Sequence, residues 1–308
     1  MTTAVQHPNR PRRSDAVGRH LELLAKPIRL VQFDDGIAVR GVFPQEEVIT
    51  QILEVSGGEL PLVIADPPYG NIVDTNWDDV GKDDVAFASW MVDWTIHIEG
   101  LSCPGAALYV WGGIGRPLFR PFYRYLVEVE RNTGYRLANH ITWSKKRAYG
   151  IKYNYLFTRE ELAYLHLGSD ITEPRCFNIP LLERKRGYAG YNSKYPAKSE
   201  YLRRTNVWTD QTEILRGKIH TAQKPQPLHE IPIEVHTHPG EWVLDPFAGS
   251  GTTALAAREL GRRFIVVEAD EEQFERMVAV ISGNAPPVKA RRAADREHAQ
   301  RGKQLCLM

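Results

Sequence analysis

The chain has 308 residues, of which 43% are hydrophobic and 25% are charged, and its formal net charge is +1. This length and balance are typical of a globular protein with one large α/β domain and an insertion. No apolar run approaches the roughly 18 residues of a membrane span, and the N-terminus lacks the apolar core of a signal peptide, so we expect a cytoplasmic protein with no membrane partner.

Cysteine and histidine spacing argues against a metal site. Cys103, Cys176 and Cys306 are isolated, with neither the even count nor the pair spacing of a disulfide framework or a zinc site. His236 and His238 bracket one residue but have no cysteine or acid at ligand spacing. We therefore predict no metal, a reducing compartment, and a loop for both histidines.

An acceptor-rich turn follows the apolar run at residues 62–65, which we predict to be a short buried strand. Two prolines cannot continue a strand, so the chain turns at Asp66-Pro67-Pro68-Tyr69. The Asp66 carboxylate and the Pro67 carbonyl suit the two N–H groups of an exocyclic amine, and Tyr69 suits stacking on a base, a contact worth roughly 1–3 kcal/mol. An ordinary turn explains the tetrapeptide alone equally well.

The next segments alternate between loop, helix and strand. Residues 71–79 lack periodicity, and we predict a mobile loop that closes over a flipped base, with Trp77 or Asn76 near the duplex. Apolar residues at three- and four-residue steps then predict a helix whose aromatic rings belong to the core. These residues are Phe87, Trp90, Met91, Trp94 and Ile98. A strand at 107–111 and a helix at 120–130 follow.

The middle of the chain is basic and rich in tyrosine. Between Trp143 and Arg204 there are 13 Lys or Arg against 6 Asp or Glu, and 8 of the 13 tyrosines. Interleaved cations and aromatic rings suit phosphate contact and base stacking, although a solvated loop with a few buried tyrosines is the alternative.

We predict strands at 141–143 and 162–167, a loop from Ser144 to Phe157 between them, and an irregular insertion from about Ser169 to Thr205. The basic residues available for phosphate or base contacts are Lys145, Lys146, Arg147 and Lys152 and, in the insertion, Arg184, Lys185, Arg186, Arg203 and Arg204.

A second motif begins with a predicted strand at 242–245 and continues through a glycine turn into a helix at 252–260. Gly249 and Gly251 allow the backbone to approach a ligand closely, and Ser250, Thr252 or Thr253 can cap the helix.

The predicted strand that follows, at 264–268, ends in Glu268, which lies 19 positions after Gly249. That spacing suits an acid that binds ribose hydroxyls. Residues 249–254 also fit the dinucleotide pattern G-x-G-x-x-A, so an NAD enzyme is a rival. Asp245 directly before the loop would repel a pyrophosphate but suits the amino group of S-adenosyl-L-methionine.

With the segment His220-Thr221-Ala222-Gln223-Lys224-Pro225, the two motifs resemble the amino-methylating DNA methyltransferases of the β class. In that family D-P-P-Y precedes F-x-G-x-G, and H-x-x-x-K-P leads into the latter. The resemblance covers about residues 28–282, and residues 206–210 resemble the segment just before the cofactor pocket. It implies Asp66, Pro67, Pro68 and Tyr69 for the target amine, and for the cofactor Asp245, Phe247, Gly249, Ser250, Gly251, Thr252, Glu268, Lys224 and Pro225.

The resemblance also implies a fold and a division of the chain. We expect a Rossmann-like α/β fold, with a mostly parallel sheet, helices on both faces, a circularly permuted motif order and an inserted DNA-recognition region. The expected parts are an N-terminal tail (1–27), a catalytic part (28–168), a target-recognition insertion (169–205), a part that binds S-adenosyl-L-methionine (206–284) and a basic tail (285–308).

The implied activity is direct methyl transfer to N6 of a flipped adenine in double-stranded DNA. Asp66 favours adenine because members that act on cytosine N4 more often carry Ser at this position. N4-cytosine methylation stays an alternative, and so does a non-catalytic DNA-binding protein on the same fold. A homodimer and a cognate restriction endonuclease are open as further partners.

Overall fold

The computed structural model describes residues 27–68, 84–112, 119–149, 155–168, 174–185, 199–209 and 223–285. Helices and strands alternate along these residues, as expected for an α/β protein. In chain order the elements are β1 (Arg29–Phe33), β2 (Gly36–Arg40), α1 (Glu46–Ser56), β3 (Leu60–Ala65), α2 (Asp84–Leu101), β4 (Ser102–Gly112), α3 (Phe119–Asn132), β5 (Tyr135–Tyr149), β6 (Phe157–Leu167), β7 (Leu181–Lys185), β8 (Tyr201–Arg203), β9 (Val207–Trp208), α4 (Pro227–His236), β10 (Trp242–Asp245), α5 (Thr252–Glu259), β11 (Arg263–Glu268) and α6 (Glu271–Ile281).

The main sheet has the strand order β1-β2-β11-β10-β3-β4-β6-β5-β9. Its central strands, from β2 to β4 in that order, run parallel. Antiparallel strands flank this centre, with β1 on one side and the β6–β5 hairpin on the other. The sheet therefore interleaves strands from both halves of the chain, because β11 and β10 lie between β2 and β3.

Helices cover both faces of the sheet, and the alternation of side chains along β3 shows how. Val63 and Ala65 belong to one core cluster, which also contains Trp94 of α2. Leu62 and Ile64 belong to the opposite cluster, which also contains Phe274 of α6. Both faces of the strand are buried, which explains its continuous apolar sequence. The predicted mostly parallel sheet with helices on both faces is confirmed.

The predicted core face of α2 is also confirmed. Phe87, Met91, Trp94 and Ile98 are buried at helical spacing. Trp94 stacks on Tyr125 of α3 with ring centroids 6.3 Å apart.

None of the helices in the described ranges is long and apolar enough to cross a membrane.

The predicted loop from Ser144 to Phe157 is wrong at both ends, because β5 continues to Tyr149 and β6 begins at Phe157. Cross-strand charge pairing extends the hairpin: Lys145 of β5 forms an ion pair with Glu160 of β6. A strand that carries charges of both signs lacks the apolar alternation by which strands are recognised in sequence.

Two further predictions need correction. The irregular insertion contains a two-stranded antiparallel sheet, in which Leu181 of β7 pairs with Arg203 of β8.

His236 is not in a loop, because it is the buried last residue of α4. Its Nδ1 lies 3.0 Å from the Cys176 carbonyl and its Nε2 lies 3.0 Å from the Tyr109 hydroxyl. Since the carbonyl can only accept, Nδ1 carries the hydrogen and Nε2 accepts from Tyr109.

Candidate active site

The two sequence motifs meet at one edge of the sheet. Strands β3 and β10 are neighbours and run parallel, with Val243 opposite Leu62 and Leu244 opposite Val63. Asp245 ends β10 and Asp66 follows β3, so both carboxylates emerge at the carboxyl ends of adjacent strands. This is the edge at which ligands bind in open α/β sheets.

The turn after β3 is described as far as Pro68. The Asp66 side chain is 22% exposed, Pro67 is buried and Pro68 is half-buried. Tyr69, the third element of the predicted base site, lies outside the described residues, as does the predicted loop at 71–79. The described part of the site therefore consists of a partly exposed carboxylate on a proline-stiffened turn.

Lys224 reaches into this site from the segment before α4. Its ammonium donates to Asp66 Oδ2 and lies 3.5 Å from Glu160 Oε2. The Lys224 side chain is only 3% exposed, and its ammonium lies 4.8 Å from the centre of the Trp111 ring. The sequence analysis assigned Lys224 to the edge of the cofactor pocket and missed its contact with Asp66. Pro225, its predicted companion, is also buried.

Glu160 was not among the predicted site residues. It projects from β6, its carboxylate is 17% exposed, and its Oε1 is ion-paired with Lys145. Its contact with Lys224 joins residues that are far apart in sequence. Arg159 and Glu161 on either side of it are also charged, so no signal in the local sequence singled out Glu160.

Asp245 is fully enclosed by protein. The Phe247 N–H donates to its Oδ1 at 3.0 Å, and the Thr253 hydroxyl donates to its Oδ2. Thr253 Oγ1 lies 3.0 Å from His229 Nδ1. Because the Thr253 hydrogen points to Asp245, the histidine donates to the threonine oxygen. The sequence analysis missed His229, whose contact depends on the packing of α4 against α5.

Burial is the largest influence on the pKa values of Asp245 and His229. It raises the pKa of Asp245 to about 7, although the Thr253 hydrogen bond acts in the opposite direction. Burial lowers the pKa of His229 to about 3, so the imidazole is neutral near pH 7. A cation that approaches Asp245 would therefore meet a carboxyl group poised to ionise.

The glycine loop follows Asp245. Gly249 and Gly251 have φ values of 50° and 76°, which lie in the left-handed region. A Cβ on Gly251 would lie 2.8 Å from Met277 Cγ, so the loop packs directly on α6. The predicted side-chain cap of the helix is wrong: Gly251 is the N-cap of α5 and no side chain caps it. Ser250 and Thr252 instead lie with their hydroxyls 3.0 Å apart.

Glu268 joins the end of β11 to the glycine loop. Its Oε2 accepts from the Gly249 N–H at 2.9 Å and its Oε1 accepts from the Asp270 N–H at 2.8 Å. Burial raises the pKa of Glu268 to about 7, against the effect of these two hydrogen bonds. Gln273 also donates to the Gly249 carbonyl at 2.9 Å. The loop is thus held on both sides of Gly249.

Phe247 lies in an aromatic cluster beside the loop. Its ring centroid is 5.4 Å from that of Trp94, 6.0 Å from that of Trp90 and 6.4 Å from that of Phe43. The edge-to-face geometry with Trp94 and Phe43 is favourable for aromatic pairs. The core aromatics of α2 therefore also fix one wall of the candidate site.

The predicted DNA-contacting residues fall into two groups. Lys145 lies close to the site, where it is 19% exposed and paired with Glu160. Arg184 and Arg203 are exposed on the β7–β8 sheet, and Arg204 beside them is half-buried. Arg203 lies over the Phe177 ring at 5.8 Å. Lys152 and Arg186, and the side chains of Lys146, Arg147 and Lys185, lie outside the described residues.

Comparison with protein families gives one match that covers most of the chain. A family model of N6/N4 methyltransferases, described as DNA methylase, matches residues 60–279. Two similar proteins are Type II methyltransferases. M2.DpnII of Streptococcus pneumoniae is 26% identical over 231 residues, which is 70% of this chain and 80% of that protein. M2.LlaDCHI of Lactococcus lactis subsp. cremoris is 25% identical over the same shares.

Solved structures give the same fold. M1.HpyAVI in complex with SAM is 23% identical, with a TM-score of 0.50 over 75% of this chain and 94% of that chain. The cytosine-N4-specific PvuII DNA methyltransferase is 17% identical, with a TM-score of 0.60 over 80% of this chain and 86% of that chain. These likenesses confirm the predicted Rossmann-like methyltransferase fold.

Proposed function

The chain belongs to the N6/N4 DNA methylase family, and on that premise we propose that it transfers a methyl group to the exocyclic N6 of adenine in DNA after base flipping. The family makes the protein a DNA methyltransferase, and the choice of adenine rests on Asp66. By resemblance, members that act on cytosine N4 more often carry Ser at this position. One geometric relationship supports the proposal most directly: Asp66 and Asp245 lie at the carboxyl ends of adjacent parallel strands.

The cofactor is S-adenosyl-L-methionine, which supplies a methyl group bound to a positively charged sulfur. The residues around the glycine loop fit its chemistry. Asp245 is a buried carboxyl group whose raised pKa of about 7 would fall beside a positive charge. Glu268 offers acceptor oxygens at the end of the next strand, where an acid binds ribose hydroxyls in related sites. Gly249, Gly251 and Phe247 would line the remaining sides.

The target amine would be held at Asp66. The lone pair of an exocyclic amine is delocalised into the ring, so the amine is a poor nucleophile. A carboxylate and a proline carbonyl that accept its two N–H bonds favour the nucleophilic form and stabilise the positive charge that develops in the attack. Pro67 contributes a carbonyl and no N–H group, and the carboxylate of Asp66 is partly exposed. No covalent bond between protein and base is required.

DNA recognition is proposed for the segment between β6 and β9. Arg184 and Arg203 are exposed on β7 and β8, and a side chain of this type contacts phosphates or base edges. Lys145 of β5 pairs with Glu160, which contacts Lys224 beside Asp66, so it could meet a backbone phosphate near the flipped base.

Product analysis tests the proposal. Purified protein is incubated with unmethylated plasmid DNA and tritiated S-adenosyl-L-methionine, and the DNA is digested to nucleosides. We expect the label in N6-methyladenine. Label in N4-methylcytosine would replace adenine with cytosine as the target, and absence of label would favour a DNA-binding protein without catalysis.

A further inference from the structure

The carboxylate that would hold the target amine is already engaged by another nitrogen. Lys224 donates from its ammonium to Asp66 Oδ2, and its side chain is almost completely buried. An ammonium and an exocyclic amine offer the same N–H donors, so both compete for the same acceptor. Binding of a target amine to Asp66 therefore requires the Lys224 ammonium to move.

Glu160 provides the place to which this ammonium can move. Its Oε2 is buried and accepts no hydrogen bond within the described ranges, yet it lies only 3.5 Å from Lys224 Nζ. A buried carboxylate oxygen without a hydrogen bond is unfavourable, so it attracts any donor within reach. The other oxygen of Glu160 is held by Lys145, which keeps Oε2 turned toward Lys224.

The surroundings allow the ammonium to move without leaving its pocket. Lys224 Nζ lies 4.8 Å from the centre of the Trp111 ring, whose face attracts a cation at this distance. Among the described residues, the shift exchanges one carboxylate partner of the Lys224 ammonium for another, so the buried cation stays paired with an acid.

We propose that Glu160 is a positioning residue, which receives the Lys224 ammonium when the target amine takes its place on Asp66. This inference rests on the proposed function of Asp66. In the free protein Lys224 occupies the amine position on Asp66. In the complex with DNA it lies on Glu160, so that it no longer opposes the positive charge that develops on the methylated nitrogen.

A double-mutant cycle tests this assignment. Single-turnover methyl transfer to unmethylated plasmid DNA is measured for the wild type, Glu160→Gln, Lys224→Met and the double variant. Glu160→Gln should lower the rate about tenfold with unchanged affinity for the cofactor, because the ammonium then stays on Asp66. In the Lys224→Met background there is no ammonium to relocate, so Glu160→Gln should change the rate by less than about twofold.

Two results would overturn the assignment: a wild-type rate for Glu160→Gln, or an equal loss in both backgrounds. Glu161→Gln is the matched control, since Glu161 is the next residue of β6 and its buried carboxylate contacts Arg159, His140 and Thr142 instead of Lys224. It should lower stability and leave the rate of the folded enzyme unchanged. Failure of the wild type to label DNA would contradict the proposed function itself, which keeps the two failures distinct.

A second measurement does not depend on the folding of variants. In a crystal structure of the wild type with target DNA and a cofactor analogue, Lys224 Nζ should lie about 3 Å from the Glu160 carboxylate. It should also lie farther from Asp66 than in the free protein. Lys224 still bound to Asp66, with the base amine held elsewhere, would overturn the assignment.

Discussion

The Gly249 N–H donates to the Glu268 carboxylate at 2.9 Å, so the glycine loop after β10 and the end of β11 form one rigid unit. The acid therefore has two roles: it holds the loop and it presents acceptor oxygens beside it. Any change to Glu268 alters both.

Glu268→Gln should weaken binding of S-adenosyl-L-methionine about tenfold or more. The amide retains a single acceptor oxygen, while the carboxylate accepts from the backbone of both Gly249 and Asp270. Isothermal titration calorimetry measures this affinity. Glu272→Gln on the exposed surface of α6 is the control. Equal affinities for both variants would refute the assignment of Glu268 to the cofactor site.

Asp66→Asn should reduce methyl transfer at least about a hundredfold, because the amide cannot stabilise the charge that develops on the attacking amine. Affinity for the cofactor should stay within about twofold, since Asp66 is proposed to hold the target amine and not the cofactor. Asparagine is preferable to alanine because it retains an acceptor for the buried Lys224. Single-turnover kinetics and calorimetry separate the two effects, and a variant that keeps full activity would exclude Asp66 from catalysis.

The raised pKa of Asp245 predicts a dependence of stability on pH. In the folded protein this pKa is about 7, against an ordinary value of 3.8. An acid whose folded-state pKa is raised contributes stability below its unfolded pKa, and this contribution is lost as the pH rises through the folded value. Relative to Asp245→Asn, the wild type should lose on the order of 2 kcal/mol of unfolding free energy between pH 5 and pH 8.

Urea unfolding of the two proteins without cofactor, at several pH values, measures this difference. The titration of His229, whose pKa burial lowers to about 3, occurs in both proteins. It therefore largely cancels when they are compared at one pH. Parallel stability profiles would show that Asp245 is ionised throughout the range.

Gly251→Ala should destabilise the protein through both its backbone and its neighbour. The residue has a φ of 76°, and an added Cβ would lie 2.8 Å from Met277 Cγ. Gly261 has a similar φ of 69° with no atom within 4 Å of the added carbon, so Gly261→Ala measures the backbone effect alone. The loss for Gly251→Ala should exceed it by about 1–3 kcal/mol in unfolding free energy. Equal losses would mean that Met277 and α6 shift to make room for the added methyl group at little cost in unfolding free energy.

Arg184→Ala should weaken DNA binding and reduce the slope of affinity against salt by about one unit, as expected for the loss of one phosphate contact. Filter binding at several salt concentrations gives both quantities. Arg131→Ala on α3 is the control, since Arg131 is equally charged and 69% exposed. If the two variants lose affinity alike, the effect comes from net charge and β7 is no DNA-binding element.

Short apolar runs were sufficient to predict the two strands that build the site. β3 and β10 are buried on both faces, so nearly every residue in them is apolar and the strand ends are marked by Asp66 and Asp245. The core face of α2 was predictable for a similar reason, since large apolar residues at helical spacing have few other uses.

Contacts between distant segments were not predictable. The group formed by Asp66, Glu160 and Lys224 joins the turn after β3, strand β6 and the segment before α4. Nothing in the local sequence of any one segment specifies the other two. The β5–β6 hairpin was missed because charge pairs such as Lys145–Glu160 replace apolar alternation where it extends beyond the core.

The position of β9 has a consequence for how this protein can diversify. The chain leaves the sheet after β6 and returns at β9, and both strands lie on the side of β4 away from β3 and β10. A longer, shorter or exchanged segment between them would leave the register of β3 against β10 unchanged. With DNA recognition assigned to this segment as proposed, sequence preference and methyl-transfer chemistry would evolve as separate modules of one domain.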